Sequence, residues 1–259
     1  MTPLSTTFST AAETYDVWAK HQQLAVAKLI KLLPSIQFRK VLDAGCGTGM
    51  LTRLAYERYN NARFLGIDKS EQMINYCQAS FGHIKNMKFL VYDLEKLNEV
   101  NFSSFFDLML SSFTFQWLEN IDYVLKTFVD SLAPGGYLGI AVPVNGSLFE
   151  LHNSFSSSFD YQMPGLDYKS SDYYISALKQ RPVSICISQV EDICIFFDGI
   201  DVLRYFKYTG TTFRHDPSYR PKTIKEVNRL LAHYEKNYGS NGKLPLTFKV
   251  LFIVAKKIY

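Results

Sequence analysis

The chain has 259 residues, 47% of them hydrophobic and 20% charged, with a net charge of +4. That composition excludes a mostly disordered chain, a collagen-like chain and a long coiled coil. The length suits one large domain, or a large and a small one, with a substantial buried core.

In chain order, Thr10 to Leu33 reads as a helix, with apolar positions at Ala12, Tyr15, Ala19, Leu24, Ala27 and Ile30 and with Pro34 beyond its end. A short apolar strand, Val41 to Ala44, then runs into Gly45-Cys46-Gly47-Thr48-Gly49, a loop with glycine at alternate positions. Met50 to Tyr59 has a helical pattern. Arg63 to Ile67 reads as a strand ending at Asp68. Ser70 caps a helix running to about Ser80, with Met73, Ile74 and Cys77 on its apolar face. Met87 to Tyr92 is a third strand, ending at Asp93, and Phe105 to Leu110 a fourth. A helix over Asn120 to Leu132 is expected to stop at Pro134-Gly135-Gly136, before a fifth strand, Tyr137 to Val142.

The pattern breaks after that strand. The 144–180 region is rich in Ser, Asp, Tyr and Phe and reads as an insertion, with helical stretches near Ser147–Phe159 and Ser171–Leu178. Strand-like sequence resumes over Val183 to Phe197. A helix follows over Asp201 to Tyr208, then a polar, basic loop from Gly210 to Lys222. An amphipathic helix, Ile224 to Tyr238, precedes a closing strand, Leu246 to Ala255. Strands alternating with helices at this spacing predict a doubly wound, mostly parallel α/β sheet, with ligands at the carboxyl ends of its strands.

Several chemistries find no support. No apolar run is long enough for a membrane helix, and the first residues lack the pattern of a secretory signal. The four cysteines form no CxxC pair and the five histidines no HExxH, so reduced thiols, a cytoplasmic location and no metal are expected. Charge is uneven: from Arg204 onward there are 12 Lys or Arg against 3 Asp or Glu. Such a basic segment suits an anionic partner or is merely solvated.

The glycine loop is neither GxGxxG nor GxxxxGK[ST]. Its glycines allow close backbone approach to a ligand, but Asp43 just before them would repel a pyrophosphate and suits a cationic amino group. Asp68 can accept both hydroxyls of a ribose, and Asp93 ends the strand beside which an adenine would lie. An adenosine with a cationic amino-acid arm is S-adenosylmethionine.

VLDAGCGTG, Asp68, Asp93-Leu94, FDLMLSS and LAPGGYLGI, in this order, resemble the landmarks of class I methyltransferases. More narrowly, FSTAAETYDVWAKHQ (8–22), FTFQWLENIDYVLKTFVDSLAPGG (113–136), LFELHNSF (148–155), VLRYFKYTGTT (202–212) and GKLPLTFKVLFIVAKK (242–257) resemble the malonyl-acyl-carrier-protein O-methyltransferases of biotin synthesis. The chain departs from that family where it reads MPGLDYKSSDYY, and at Ser112, where the family often has Asn.

The resemblance implies a seven-stranded Rossmann-like sheet in a single domain over 1–259, with an N-terminal helical cap over 1–34 and a helical lid over 144–182. It implies S-adenosylmethionine held by Asp43, Gly45, Cys46, Gly47, Gly49, Asp68, Lys69, Met73, Asp93, Leu94 and Ser111, with Tyr15 and Gln116 at the methyl-transfer edge and Gln22 on the helix face of Tyr15. Cys46 reads as a packing residue, Trp117 as core, and His152 as a surface histidine more than a substrate contact.

The implied acceptor is the free carboxylate of a malonyl thioester, on an acyl carrier protein or coenzyme A, early in biotin and pimeloyl synthesis. That carboxylate is already ionised near neutral pH, so no general base is needed. An acidic carrier protein would be steered by Arg204, Lys207, Arg214, Arg220 or Lys222. Arg181 and Arg214 are guesses for the residue that binds the malonyl carboxylate. Three alternatives stay open: a methyltransferase for another small metabolite, one for RNA, and a non-catalytic cofactor-binding partner protein.

Overall fold

A computed structural model describes residues 14–99, 104–159, 167–210 and 222–259. Seven strands form one sheet: β1 (Lys40–Ala44), β2 (Arg63–Asp68), β3 (Met87–Val91), β4 (Phe106–Ser112), β5 (Leu132–Pro143), β6 (Val183–Asp198) and β7 (Lys243–Lys257). Their order is β3-β2-β1-β4-β5-β7-β6. The first five strands pair in parallel, while β7 runs antiparallel to both β5 and β6.

The eight helices of eight or more residues among the described residues are α1 (Lys20–Leu32), α2 (Met50–Arg58), α3 (Glu71–Phe81), α4 (Ile121–Ser131), α5 (Phe149–Ser158), α6 (Ser171–Lys179), α7 (Asp201–Tyr208) and α8 (Ile224–Tyr238). Alternate strand residues feed opposite cores, as a two-residue period requires. Val41, Leu108, Val250 and Phe252 meet α1, α2, α3, α5, α7 and α8 on one face, whereas Leu42, Met109, Leu251 and Ile253 meet α4 and α6 on the other. Coverage of both faces explains why the central strands are nearly continuous apolar runs.

Caps agree with the sequence. Ser70 accepts from the Met73 amide, Asn120 from the Tyr123 amide, and Thr223 forms a reciprocal capping box with Glu226. Two elements differ from expectation. The N-terminal helix is not continuous: residues 14–18 are helical, but Ala19 leaves helical geometry (φ −73°, ψ 42°) before α1 begins. Tertiary anchors on the first piece account for the break, since Asp16 is bound to Thr48 and Trp18 stacks on Tyr208. Residues 10–13 of that expected helix lie outside the described residues.

The second difference is at Pro134-Gly135-Gly136. Helix α4 already ends at Ser131, and the three residues sit inside the β5 run. There the ladder jumps from Phe106 opposite Leu132 to Leu108 opposite Tyr137, so four residues bulge out where Gly135 takes φ +74°. Proline and glycine are tolerated at such a bulge because its backbone groups leave the ladder.

The chain turns from β1 toward β2 and β3, then returns to place β4 and β5 on the other side of β1. The crevice at the carboxyl ends of β1 and β4 is therefore the topological switch point, where ligands bind in open α/β sheets.

Candidate active site

A cavity of about 350 Å³ opens at that switch point. It is lined by Tyr15, Asp43, Gly45, Cys46, Gly47, Asp68, Lys69, Met73, Asp93 and Leu94, all drawn from the residues expected at the site. Gly49, Ser111 and Gln116 are not among its lining residues. Gly49 starts α2 at φ +82°, so it shapes the loop. The Ser111 hydroxyl donates to the Ala44 carbonyl at 2.8 Å and ties β4 to β1. Gln116 turns back, its amide donating to the Phe113 carbonyl at 2.8 Å, and its neighbour Trp117 faces the cavity.

The glycine loop is held from beneath. The Gly45 and Cys46 amides both donate to the Ile67 carbonyl, at 2.8 and 3.0 Å. Gly45 has φ +74°, and a Cβ there would collide with the Thr114 side chain. Only glycine satisfies both conditions. The Cys46 thiol is pushed well above its ordinary value, first by its contact with Cys77 and then by burial, so it is no thiolate nucleophile at neutral pH.

Asp43 is 1% exposed at the end of β1. Its Oδ2 accepts from the Thr52 hydroxyl at 2.6 Å, and its Oδ1 accepts no hydrogen bond among the described residues. Burial raises its carboxyl to about 7, against the pull of Thr52. A buried, half-satisfied carboxyl beside a cavity fits a cationic group, which would restore the charge and complete the hydrogen bonding.

Asp68 ends β2. Its Oδ2 accepts from the Gly47 amide at 2.9 Å and its Oδ1 from the Ser70 amide at 2.8 Å. Each oxygen keeps a further lone pair for a hydroxyl on the cavity side. Burial raises this carboxyl, and the amides of Ser70, Gly47 and Lys69 oppose the rise. Asp93 behaves differently. Burial acts to raise it, but the Lys69 ammonium at 2.7 Å, the Glu95 amide and Lys96 together hold it below the usual carboxylate range.

Sequence reasoning did not single out several lining residues, among them Thr48, Phe113, Thr114 and Glu119, and it marked Ser112 only as a departure from the family. Thr48 donates to Asp16 at 2.7 Å, and so fastens the N-terminal segment over the loop. Phe113 takes φ +53°, a strained turn that swings Thr114 and Trp117 over the cavity. The Ser112 hydroxyl is buried with no partner among the described residues. The one available signal was topological: all four of Ser112, Phe113, Thr114 and Glu119 lie at or just after the carboxyl end of β4.

Other expectations lie elsewhere. Arg181 does not line the cavity: its side chain, 9% exposed, donates to the carbonyls of Ala177 and Asp122 and to the Asp122 carboxylate, which clamps α6 to α4. His152 sits on α5, outside the cavity lining. No described residue from 144–182 lines the cavity. Arg214 and Arg220 fall outside the described residues. Lys222 points inward, with its ammonium 4.8 Å from the Phe159 ring centre.

The site and fold are those of a class I methyltransferase. The methyltransferase-domain family matches residues 41–136. The fold is similar to that of a geranyl diphosphate methyltransferase solved with S-adenosylmethionine (TM-score 0.55, 14% identity, 91% of this chain and 85% of that one). Over nearly its whole length the chain is similar to a malonyl-[acyl-carrier protein] O-methyltransferase from Herminiimonas arsenicoxydans, at 31% identity over 98% of this chain and 95% of the relative. A relative of the same name from Marinomonas sp. (strain MWYL1) is 28% identical over 98% of this chain and 93% of its own length. The chain belongs to the malonyl-[acyl-carrier protein] O-methyltransferase family.

Proposed function

We propose that the protein transfers a methyl group from S-adenosylmethionine to the free carboxylate of a malonyl thioester carried by an acyl carrier protein, in the cytoplasm, early in biotin synthesis. The observation that carries this reading is the near full-length likeness to relatives of that name. The site supports it: Asp43 has an unused buried oxygen for an ammonium, Asp68 has lone pairs for a ribose, and Asp93 and Leu94 border the space for an adenine. No helix among the described residues is long and apolar enough to cross a membrane.

S-adenosylmethionine, when bound, supplies an electrophilic methyl on a sulfonium, which an ionised carboxylate oxygen takes as the carbon–sulfur bond breaks, with no proton lost. The protein's task is then alignment and the exclusion of water. Asp43 would hold the amino-acid end of the cofactor and Asp68 its ribose. Trp117 and Phe113 wall the edge where the acceptor enters. Residues 144–182 are proposed as the cover of the acceptor's chain, and Arg214 and Arg220 as part of the carrier's docking surface.

The test is direct. Purified protein is incubated with methyl-labelled S-adenosylmethionine and malonyl carrier protein, and the intact carrier mass is read. A gain of one methyl, absent with an acetyl carrier that lacks the free carboxyl, is the expected result. No transfer by a protein that binds S-adenosylmethionine would overturn the assignment.

A further inference from the structure

The cavity poses a problem for an anionic acceptor. Among the described residues that line it, Lys69 is the one cation, and its ammonium lies 2.7 Å from Asp93. Asp43, Asp68, Glu95 and Glu119 line the same space. Apart from Lys69, which is held by Asp93, the described wall offers a carboxylate only uncharged donors.

Such donors suit the chemistry. The acceptor's carboxylate loses its charge as its oxygen takes the methyl. A cation gripping it would bind most strongly before the reaction and less in the transition state, which raises the barrier. A neutral donor forfeits less as the charge disappears.

Three residues supply an aimed neutral donor. Tyr205, fully buried on α7, donates its hydroxyl to Oε1 of Gln22 at 3.1 Å. Gln22, 4% exposed on α1, lines the cavity, and its side chain also hydrogen-bonds the Tyr15 hydroxyl. Tyr205 takes one lone pair of the amide oxygen, and the NH2 group beside it only donates. Tyr15 lines the same cavity as Gln22. Burial, with Asp16 and Asp68 nearby, keeps that hydroxyl protonated at neutral pH.

We propose that Gln22 and Tyr205 are positioning residues: Tyr205 holds the Gln22 amide oxygen, the Gln22 NH2 group donates to the Tyr15 oxygen, and the Tyr15 hydroxyl is thereby aimed at the carboxylate of the methyl acceptor. The inference rests on the function proposed above. The acceptor's second carboxylate oxygen accepts a hydrogen bond from the Tyr15 hydroxyl, which keeps its proton, while the first faces the methyl group.

Gln22→Glu tests it with almost no change of shape. An ionised Glu accepts from both tyrosines, so the Tyr15 proton turns away from the cavity. KM for malonyl carrier protein should rise roughly tenfold to a hundredfold, the span of a hydrogen bond to a charged group. Affinity for S-adenosylmethionine should stay near wild type. The rise should grow with pH over about 6 to 9, because burial raises a carboxyl at this position and a protonated Glu still donates to Tyr15. Tyr15→Phe should show a similar rise, and adding Gln22→Glu to it should change nothing further. Tyr205→Phe, which frees the amide to flip, should give a smaller rise in KM and covers the case in which Gln22→Glu fails to fold.

A wild-type KM in Gln22→Glu across that pH range, or a rise of full size in the Tyr15→Phe background, overturns the inference while the parent function stands. A wild-type protein that binds S-adenosylmethionine but never methylates malonyl carrier protein overturns the parent function, and this inference with it.

Discussion

The Thr52 hydroxyl reaches one oxygen of Asp43 at 2.6 Å, and the other oxygen of that buried carboxyl has no partner among the described residues. The arrangement leaves Asp43 half protonated at about pH 7. An ammonium placed against it favours the ionised form. Binding of S-adenosylhomocysteine, which keeps the amino-acid arm, should therefore release a proton below pH 7 and tighten as pH rises from about 6 to 7.5, below the range of the ligand's own amino group. Calorimetry in two buffers of different ionisation enthalpy measures the proton count. Asp43→Asn should bind roughly ten- to a hundredfold more weakly and show no such release. Pure uptake of protons by the wild type would contradict the role given to Asp43.

Asp68 ties the loop together, since Gly47 and Ser70 both donate to it, and it is the residue proposed to hold the ribose. Asp68→Ala should weaken S-adenosylmethionine binding by about tenfold or more, because it removes the ribose acceptor and loosens the loop. Asp68→Asn, which can still accept at one oxygen, should fall between. Unchanged affinity in a folded Asp68→Ala protein removes the residue from the site.

Gly45 and Thr114 form a steric pair across the β1–β4 crevice. Gly45→Ala should cost about 2 kcal/mol or more, part from the left-handed backbone and part from collision with Thr114. Thr114→Ala in the same chain should recover the collision part and leave the backbone part, about 1 kcal/mol. Urea midpoints of the four proteins complete the cycle. Strict additivity would show that the two side chains do not meet.

His21 and Asp43 pull stability in opposite directions with pH. Burial lowers the His21 ring to about 4, so its contribution is complete above the unfolded value near 6.5 and is lost as pH falls toward 4. Asp43 has its folded value raised to about 7, so its contribution is complete below the unfolded carboxyl range and is lost as pH rises through 7. Between about pH 7 and 5 the His21 loss, on the order of 2 kcal/mol, is offset by a comparable Asp43 gain. Asp43→Asn should therefore lose clearly more stability than wild type over that interval in urea melts. Equal slopes would mean that Asp43 titrates alike in both states.

Much of the fold was legible because it rests on local signals. Apolar runs bounded by Asp68, Asp93 and the glycine loop mark strands, and Ser70, Asn120 and Thr223 mark helix starts through their own side chains. Helix α8 occupies the span that its apolar period predicts. Less legible was whatever depended on a distant partner. Ala19 breaks a helix that its neighbours favour, because Thr48 and Tyr208 hold the preceding turn. Pro134 to Gly136 look like a terminator and instead bulge within β5, because Phe106 and Leu108 pair on either side of them.

The amino-acid sequence by itself determined the class of sheet, the acids at the ends of β1, β2 and β3, and the glycines that shape the loop beside the cavity, because these depend on residue type and on short-range period. Only the tertiary structure decided which way side chains of similar character face. Trp117 looks into the cavity while Gln116 turns back to Phe113. Arg181 is spent on Asp122, and Gln22 on Tyr205 from the far side of the core. A side chain's direction and its hydrogen-bond partner follow from the packing of elements that are remote in the chain, and no local pattern encodes that packing.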